Sequence, residues 1–160
     1  MERPVIRPIR PEDAAALARL FERLSPETVY RRFHQPMRRP RPAMLAYFAN
    51  VDHRRRDALV AEVDGEIVAV ASYDVPSNGD GHEAEIAVLV EDAWQRHGLG
   101  RRLVRRLAKA AAERGVDSFT AYMLGDNPGA VRLLRSLAPK APVRPDHGEL
   151  VAHIPLRLAG

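Results

Sequence analysis

The chain has 160 residues, 46% of them hydrophobic, which suits one domain with a sizeable core. No apolar run approaches the ~18 residues of a membrane span, and Met1-Glu2-Arg3-Pro4 is not a signal peptide, so no membrane partner and a cytoplasmic location are expected. Cysteine is absent, excluding disulfides and thiolate chemistry, and the net charge of +4 is uneven: residues 1–56 hold 13 basic and 6 acidic groups, residues 57–160 hold 12 and 15.

The first expected element is an edge strand over 5–10, where Pro8 is tolerable because one side of such a strand lacks a partner. Pro11-Glu12-Asp13 opens a helix with Leu17, Leu20, Phe21 and Leu24 at helical spacing. Ser25 and Pro26 form an N-cap and first-turn pair that starts a second helix through Val29, Tyr30 and Phe33. After a loop over 35–42, a short third helix covers 43–50. Strands over 58–63 and 67–73 flank Asp64-Gly65, a pair favoured in type I′ hairpin turns.

A polar loop over 76–81 leads to a strand over 83–90. The long helix after Gly98 buries Leu99, Leu103, Val104, Leu107 and Ala111, turns Arg102, Arg105, Arg106 and Lys109 outward, and stops at Gly115. A strand over 119–124 follows, then Asp126-Asn127-Pro128 caps a helix through Leu137. Residues 138–147 are too rich in proline to assign, and 149–158 alternate as a closing strand. The alternation of strands and helices predicts an α/β domain over 1–160 with a mixed central sheet and helices on both faces.

The segment 88–103 carries the most chemical information. An apolar strand runs through a short polar turn into Gln95-Arg96-His97-Gly98-Leu99-Gly100, and a helix begins there. Backbone N–H groups at a helix start, with the dipole behind them, form a site for an anion. Gly98 and Gly100 remove side chains that would keep a bulky anion from the main chain. Pyrophosphate is the natural guest. The pattern lacks the third glycine of a Rossmann fingerprint and the Gly-Lys-Ser/Thr of a P-loop.

Alternation along 83–90 places Glu85, Ala87 and Leu89 on one face and Ile86, Val88 and Val90 on the other. A carboxylate in this apolar run, near a cleft, would have a raised pKa suited to accepting a proton through water; an exposed strand carboxylate is the plainer alternative. The six histidines are scattered, so no metal is expected. The basic N-terminal third would draw an acidic partner or a cofactor's phosphates, though a solvated arginine-rich surface is the simpler account. Without interleaved aromatics or a binding motif, nucleic acid is not an expected partner.

Gln95-x-x-Gly98-x-Gly100 after a strand resembles the pyrophosphate loop of the GNAT N-acetyltransferases, and the order of elements resembles that family over nearly the whole chain. The resemblance implies a GNAT-type fold and an enzyme that binds acetyl-CoA. It implies that main-chain amides over 95–101 hold the pyrophosphate, with Arg96, His97 and Arg101 near the phosphates. It further implies that Val88, Leu89 and Val90 lie on a splayed strand whose backbone bonds the pantetheine arm. An amide near Val90 would then face the thioester oxygen.

Asn127-x-x-Ala130-x-x-Leu133-Leu134 resembles a second motif, whose asparagine contacts the pantetheine arm; Asn127 has a simple helix cap as its alternative role. Leu134 stands where the family usually has a tyrosine that protonates the departing thiolate, and Ala138-Pro139 replaces the usual Gly-Phe. Leu24-Ser25-Pro26-Glu27-Thr28-Val29-Tyr30-Arg31-Arg32-Phe33 and Ala84-Glu85-Ile86-Ala87 resemble the bacterial protein lysine acetyltransferase branch. There the matching glutamate is the general base, which implies that role for Glu85, direct attack in a ternary complex, and a protein lysine as acceptor. A small-molecule amine acetyltransferase and a weakly catalytic acyl-CoA-binding regulatory domain are the alternatives. The family also makes a homodimer an available assembly.

Overall fold

A computed structural model of the chain describes residues 3–37 and 39–156. In chain order, β1 (Val5–Pro8) and a 3-10 turn (Pro11–Asp13) lead into α1 (Ala14–Arg23), α2 (Pro26–Phe33) and α3 (Pro42–Ala49). There follow β2 (Arg56–Val63), β3 (Glu66–Asp74), β4 (Glu83–Val90), α4 (Leu99–Glu113), β5 (Ser118–Leu124), α5 (Pro128–Leu137), β6 (Val143–Asp146) and β7 (Glu149–Pro155).

Local chemistry sets most of these boundaries. The Thr28 N–H donates to Ser25 Oγ at 3.1 Å, so α2 begins where its cap expects it to. Asp64 and Gly65 both take positive φ, 51° and 77°, as a type I′ turn between β2 and β3 requires. Arg114 caps α4, and Gly115 beyond it sits at φ 91°.

Among the described residues, seven strands form one sheet in the order β1-β2-β3-β4-β5-β7-β6. Only β4 and β5 run parallel, and the other neighbours are antiparallel. On one face α4 packs Leu99, Leu103, Leu107 and Ala111 onto Ala69, Ala71 and Tyr73 of β3. On the other, Leu17, Leu20 and Phe21 of α1 join Leu45 and Ala49 of α3 against Ala58, Val60, Ile67 and Leu89. A third cluster sets Leu134 of α5 against Met123 and Ala152. The helices thus lie on both faces of an α/β sheet, as the alternation of elements predicts.

Two segments depart from the sequence reading. β6 lies in the stretch expected to be too proline-rich for structure. It is an edge strand pairing only with β7, Val143 opposite Ala152 and Pro145 opposite Leu150, and an edge tolerates a missing N–H. The strand expected over 5–10 ends at Pro8, and a 3-10 turn intervenes before α1. The expected end of the last strand at Leu158, the N-terminal Met1 and Glu2, and Arg38 of the 35–42 loop lie outside the described residues.

A buried ionic cluster fixes the far end of the sheet. Asp57 is 3% exposed, and Arg114 Nη1 donates to its Oδ2 at 2.5 Å and to the Tyr73 hydroxyl at 2.9 Å. Tyr73 in turn donates to the Arg54 carbonyl at 2.6 Å. Burial pushes the Tyr73 hydroxyl pKa up, so it stays a donor at neutral pH. Removing the guanidinium would strand a buried carboxylate. We therefore expect Arg114→Met to cost about 3 kcal/mol, lowering the melting temperature by roughly 6–12 °C in a thermal melt.

Candidate active site

The site is built by an interruption in the sheet. β4 and β5 pair from Glu83 opposite Ser118 to Ile86 opposite Ala121, and there the pairing stops. Both strands continue, β4 to Val90 and β5 to Leu124. β4 stays on β3 up to Val90 opposite Ala69, and β5 stays on β7 up to Leu124 opposite Glu149. Each strand keeps one full partner while a wedge opens between them.

Backbone direction inside the wedge follows from one bond. The Glu91 N–H donates to the Val68 carbonyl at 2.9 Å on the β3 side. Groups alternate along an antiparallel strand, so the N–H and C=O of Val90 and Val88 turn toward the gap. One of them is already occupied: Gln95 Nε2 donates to the Val90 carbonyl at 3.0 Å. Leu89 points its side chain into the core with α1 and α3, whereas Val88 and Val90 pack toward α4.

The loop after β4 is held against α2 by a polar network. Asp92 accepts from the Ser25 N–H (3.0 Å), the Ser25 hydroxyl (2.7 Å) and the Thr28 hydroxyl (2.9 Å). Gln95 Nε2 also reaches Thr28 Oγ1 at 3.2 Å. Burial pushes the Asp92 carboxyl up, but the bonds from Ser25 and Thr28 outweigh it and hold its pKa below the usual aspartate value. At the other end of α2, His34 pairs with Glu149 at the start of β7. α2 therefore straddles the wedge, tied to the β4 side by its first turn and to the β7 side by its last.

The two motif glycines serve different ends. Gly98 has φ +77°, and nothing lies within 4 Å of the position a Cβ would occupy, leaving its surroundings open. Gly100 is a packing residue: a Cβ there would meet Leu133 Cδ2 at 3.4 Å and Val88 Cγ1 at 3.7 Å, where α4 crosses α5 and β4. Its missing side chain faces the fold rather than a ligand. Arg96 (φ 65°), His97, Gln95 and Arg101 are exposed around the first turn of α4, and Leu99 is buried beneath it.

A cavity of about 380 Å³ runs from the wedge to the space under α2 and α3. Glu85, Val88, Leu89, Asn127, Leu133 and Leu134 all line it. Glu85 is exposed at its edge rather than buried among its apolar neighbours, and forms no ion pair among the described residues. Neighbouring Glu83 instead accepts from the Thr120 hydroxyl. Asn127 caps α5, its Oδ1 accepting from the Ala130 N–H at 3.2 Å.

Three lining residues were not singled out for chemistry by the sequence. Tyr122 lies two residues beyond Thr120, the partner of Glu85, so it shares that face of the sheet. Burial, then the Glu85 and Glu83 carboxylates, pushes its phenol pKa up. Alternation along 119–124 could have found it. Arg32 and His34 depend on how α2 is placed across the wedge, for which spacing in the chain holds no signal.

Comparison with known proteins agrees with this geometry. Residues 17–138 match the acetyltransferase (GNAT) family model. The chain is 32% identical over 151 residues to Acetyltransferase Pat of Mycolicibacterium smegmatis, an alignment covering 93% of this chain and 44% of that protein. It is 33% identical over 113 residues to Acetyltransferase PA5475 of Pseudomonas aeruginosa, covering 69% of this chain and 61% of that one. The chain thus spans about half the length of these curated relatives.

Among solved structures, the GNAT domain of S. lividans PAT is similar with a TM-score of 0.89 and 29% identity, over 95% of this chain and 90% of that chain. The structure of yncA from Salmonella typhimurium with acetyl-CoA is similar in fold, with a TM-score of 0.78 and 23% identity over 99% and 97% of the two chains. The chain belongs to the GNAT acetyltransferase family, enzymes whose co-substrate is acetyl-CoA. The unpaired backbone edges of the wedge and the open approach to Gly98 fit such a group.

Two outcomes follow. Gly98→Ala should cost about 1–2 kcal/mol because alanine resists a left-handed φ, whereas Gly100→Ala should be neutral or slightly stabilising, as thermal melts of both would read. Asp92, whose pKa is lowered on folding, contributes stability above the ordinary aspartate pKa and loses it as pH falls. The melting-temperature gap between wild type and Asp92→Asn should therefore be widest near neutrality and close as pH drops through ~4 and below.

Proposed function

We propose that residues 1–160 form one cytoplasmic acetyltransferase domain that moves the acetyl group of acetyl-CoA to a primary amine, with a protein lysine as acceptor. The carrying observation is the wedge between β4 and β5 with Glu85 at its edge, on the same cavity as the β4 backbone. When bound, acetyl-CoA supplies the activated thioester carbonyl. The amides over 95–101 at the start of α4 hold its pyrophosphate, and Arg96, His97 and Arg101 stand near the phosphates. Backbone groups of Val88 and Val90, which face the gap, would hold the pantetheine arm with Asn127 at its side, whereas the Leu89 backbone faces β3 and secures the strand in the sheet. An amide near Val90 would face the carbonyl oxygen, where negative charge develops.

Glu85 takes a proton from the acceptor ammonium through water, and the neutral amine then attacks the thioester carbonyl. The C–S bond breaks with coenzyme A leaving as its thiolate; direct attack in a ternary complex needs no covalent enzyme intermediate. The lysine acceptor is supported by the likeness of Leu24–Phe33 and Ala84–Ala87 to protein lysine acetyltransferases. A weakly catalytic acyl-CoA-binding domain is the second reading. It is favoured by Leu134, which is 4% exposed in the α5 cluster and offers no proton.

Acetyl-labelled acetyl-CoA incubated with the protein and cell extract separates these readings. Label on proteins supports a lysine acceptor; label on small solutes alone moves the acceptor to a metabolite amine. Coenzyme A binding without transfer supports the second reading. Glu85→Gln is expected to lower kcat/KM about 10²–10⁴-fold near neutral pH, with less loss at high pH where the acceptor amine is already neutral. An unchanged pH–rate profile would remove Glu85 from the role of base.

A further inference from the structure

Most charged side chains around the cavity have their charge answered nearby. Arg31 pairs with Glu27 at 2.7 Å, and His34 pairs with Glu149. Arg56 donates to the carbonyls of Tyr47 (2.8 Å) and Asn50 (3.2 Å) and lies 3.7 Å from Asp74. Asp57 is held by Arg114 and His53. Arg32 and Glu85 are different. Both line the cavity, and among the described residues neither forms an ion pair.

Arg32 is also placed with some care. Its guanidinium carbon sits 4.6 Å from the Phe33 ring centroid and 6.0 Å from that of Phe48. Those rings are themselves 6.2 Å apart and stacked. Cation–π contact holds a guanidinium plane in place and leaves its N–H edges, which here meet solvent, free to bond an anion. Burial lowers the Arg32 pKa, with no carboxylate acting to raise it again. Arg32 is half-buried, and a partly desolvated cation with no counter-charge among the described residues gains from an incoming anion.

Resting on the acetyltransferase reading above, we propose that Arg32 is the recognition site for a carboxylate carried by the acceptor. The acceptor is then dipolar: its amine meets Glu85 and its carboxylate meets Arg32 across one cavity. That chemistry has two sources, an acidic residue beside an acceptor lysine or the free carboxylate of a small amino-acid-like amine. Arg32 makes no bond in the transfer itself. It acts on acceptor affinity and choice.

The test uses two matched pairs of acceptors: end-blocked Gly-Lys-Glu-Gly against Gly-Lys-Gln-Gly, and Nα-acetyl-lysine against its carboxamide. Acetyl transfer is measured for wild type, Arg32→Met, which keeps the stem against Phe33, and Arg32→Glu. Binding of each acceptor is followed separately by the thermal shift it causes in the coenzyme A complex, a readout independent of turnover. In at least one pair the wild type should favour the anionic member about ten- to a hundredfold in KM, with a matching difference in thermal shift. Arg32→Met should abolish that preference, and Arg32→Glu should reverse it, while KM for acetyl-CoA stays unchanged.

Preference in the peptide pair assigns the carboxylate to a flanking residue; preference in the amino-acid pair assigns it to a small amine. Equal binding of both members of both pairs overturns the proposal. So does a variant that raises KM for acetyl-CoA and leaves acceptor preference intact. A wild type that binds the anionic probes selectively but transfers acetyl to none of them would sink the acetyltransferase reading instead.

Discussion

The parting of β4 from β5 after Ile86 and Ala121 is the constraint on which the rest of this molecule turns. Unpaired backbone within a sheet is costly when it is buried, and a sheet opened in its middle would ordinarily close or fray. Here each strand is secured from its other side, β4 by β3 and β5 by β7. Helices occupy what lies below: α4 follows β4, and at Gly100 it lies beside Leu133 of α5 and Val88 of β4. The gap survives because its walls are fixed independently of each other.

Placement of α2 follows from the same opening. The helix is tied to the tip of β4 through Asp92 and Gln95 and to the start of β7 through His34 and Glu149. It therefore spans two strands that do not touch each other at that height. Its last turn brings Arg31, Arg32 and His34 to the cavity that Glu85 lines from the sheet. Charge on the roof and charge on the floor are thus presented to one space, by elements far apart in sequence.

Local chemistry was the most legible part of the fold. Ser25-Pro26, Asp64-Gly65, Gly98, Gly115 and Asn127-Pro128 each announce a cap or turn by a residue type that few other backbone geometries favour, and each lies where its type demands. The amphipathic stripe of α4 was equally plain, since its five core residues follow the helical period. β6 was missed because proline is read as a breaker until one knows the strand lies at an edge. The exposed setting of Glu85 was not visible either, since an apolar run says which neighbours a side chain has along the strand and not what covers them. The wedge itself leaves no residue signature; only likeness to the family suggested it. Arg32 was visible as part of a motif but not as a charge without a partner, because that is a property of everything around it.

Holding a ligand by strand backbone and helix-start amides has an evolutionary consequence. Peptide groups are the same whatever side chains they carry, so substitutions at Val88 and Val90 that preserve packing leave the main-chain groups facing the gap in place. In the function proposed above, the acceptor side is read by side chains such as Glu85 and Arg32, each of which a single codon change can alter. One half of the site is thereby buffered against mutation while the other is free to drift. A lineage built on this arrangement can change what it modifies without first rebuilding what it uses to do so.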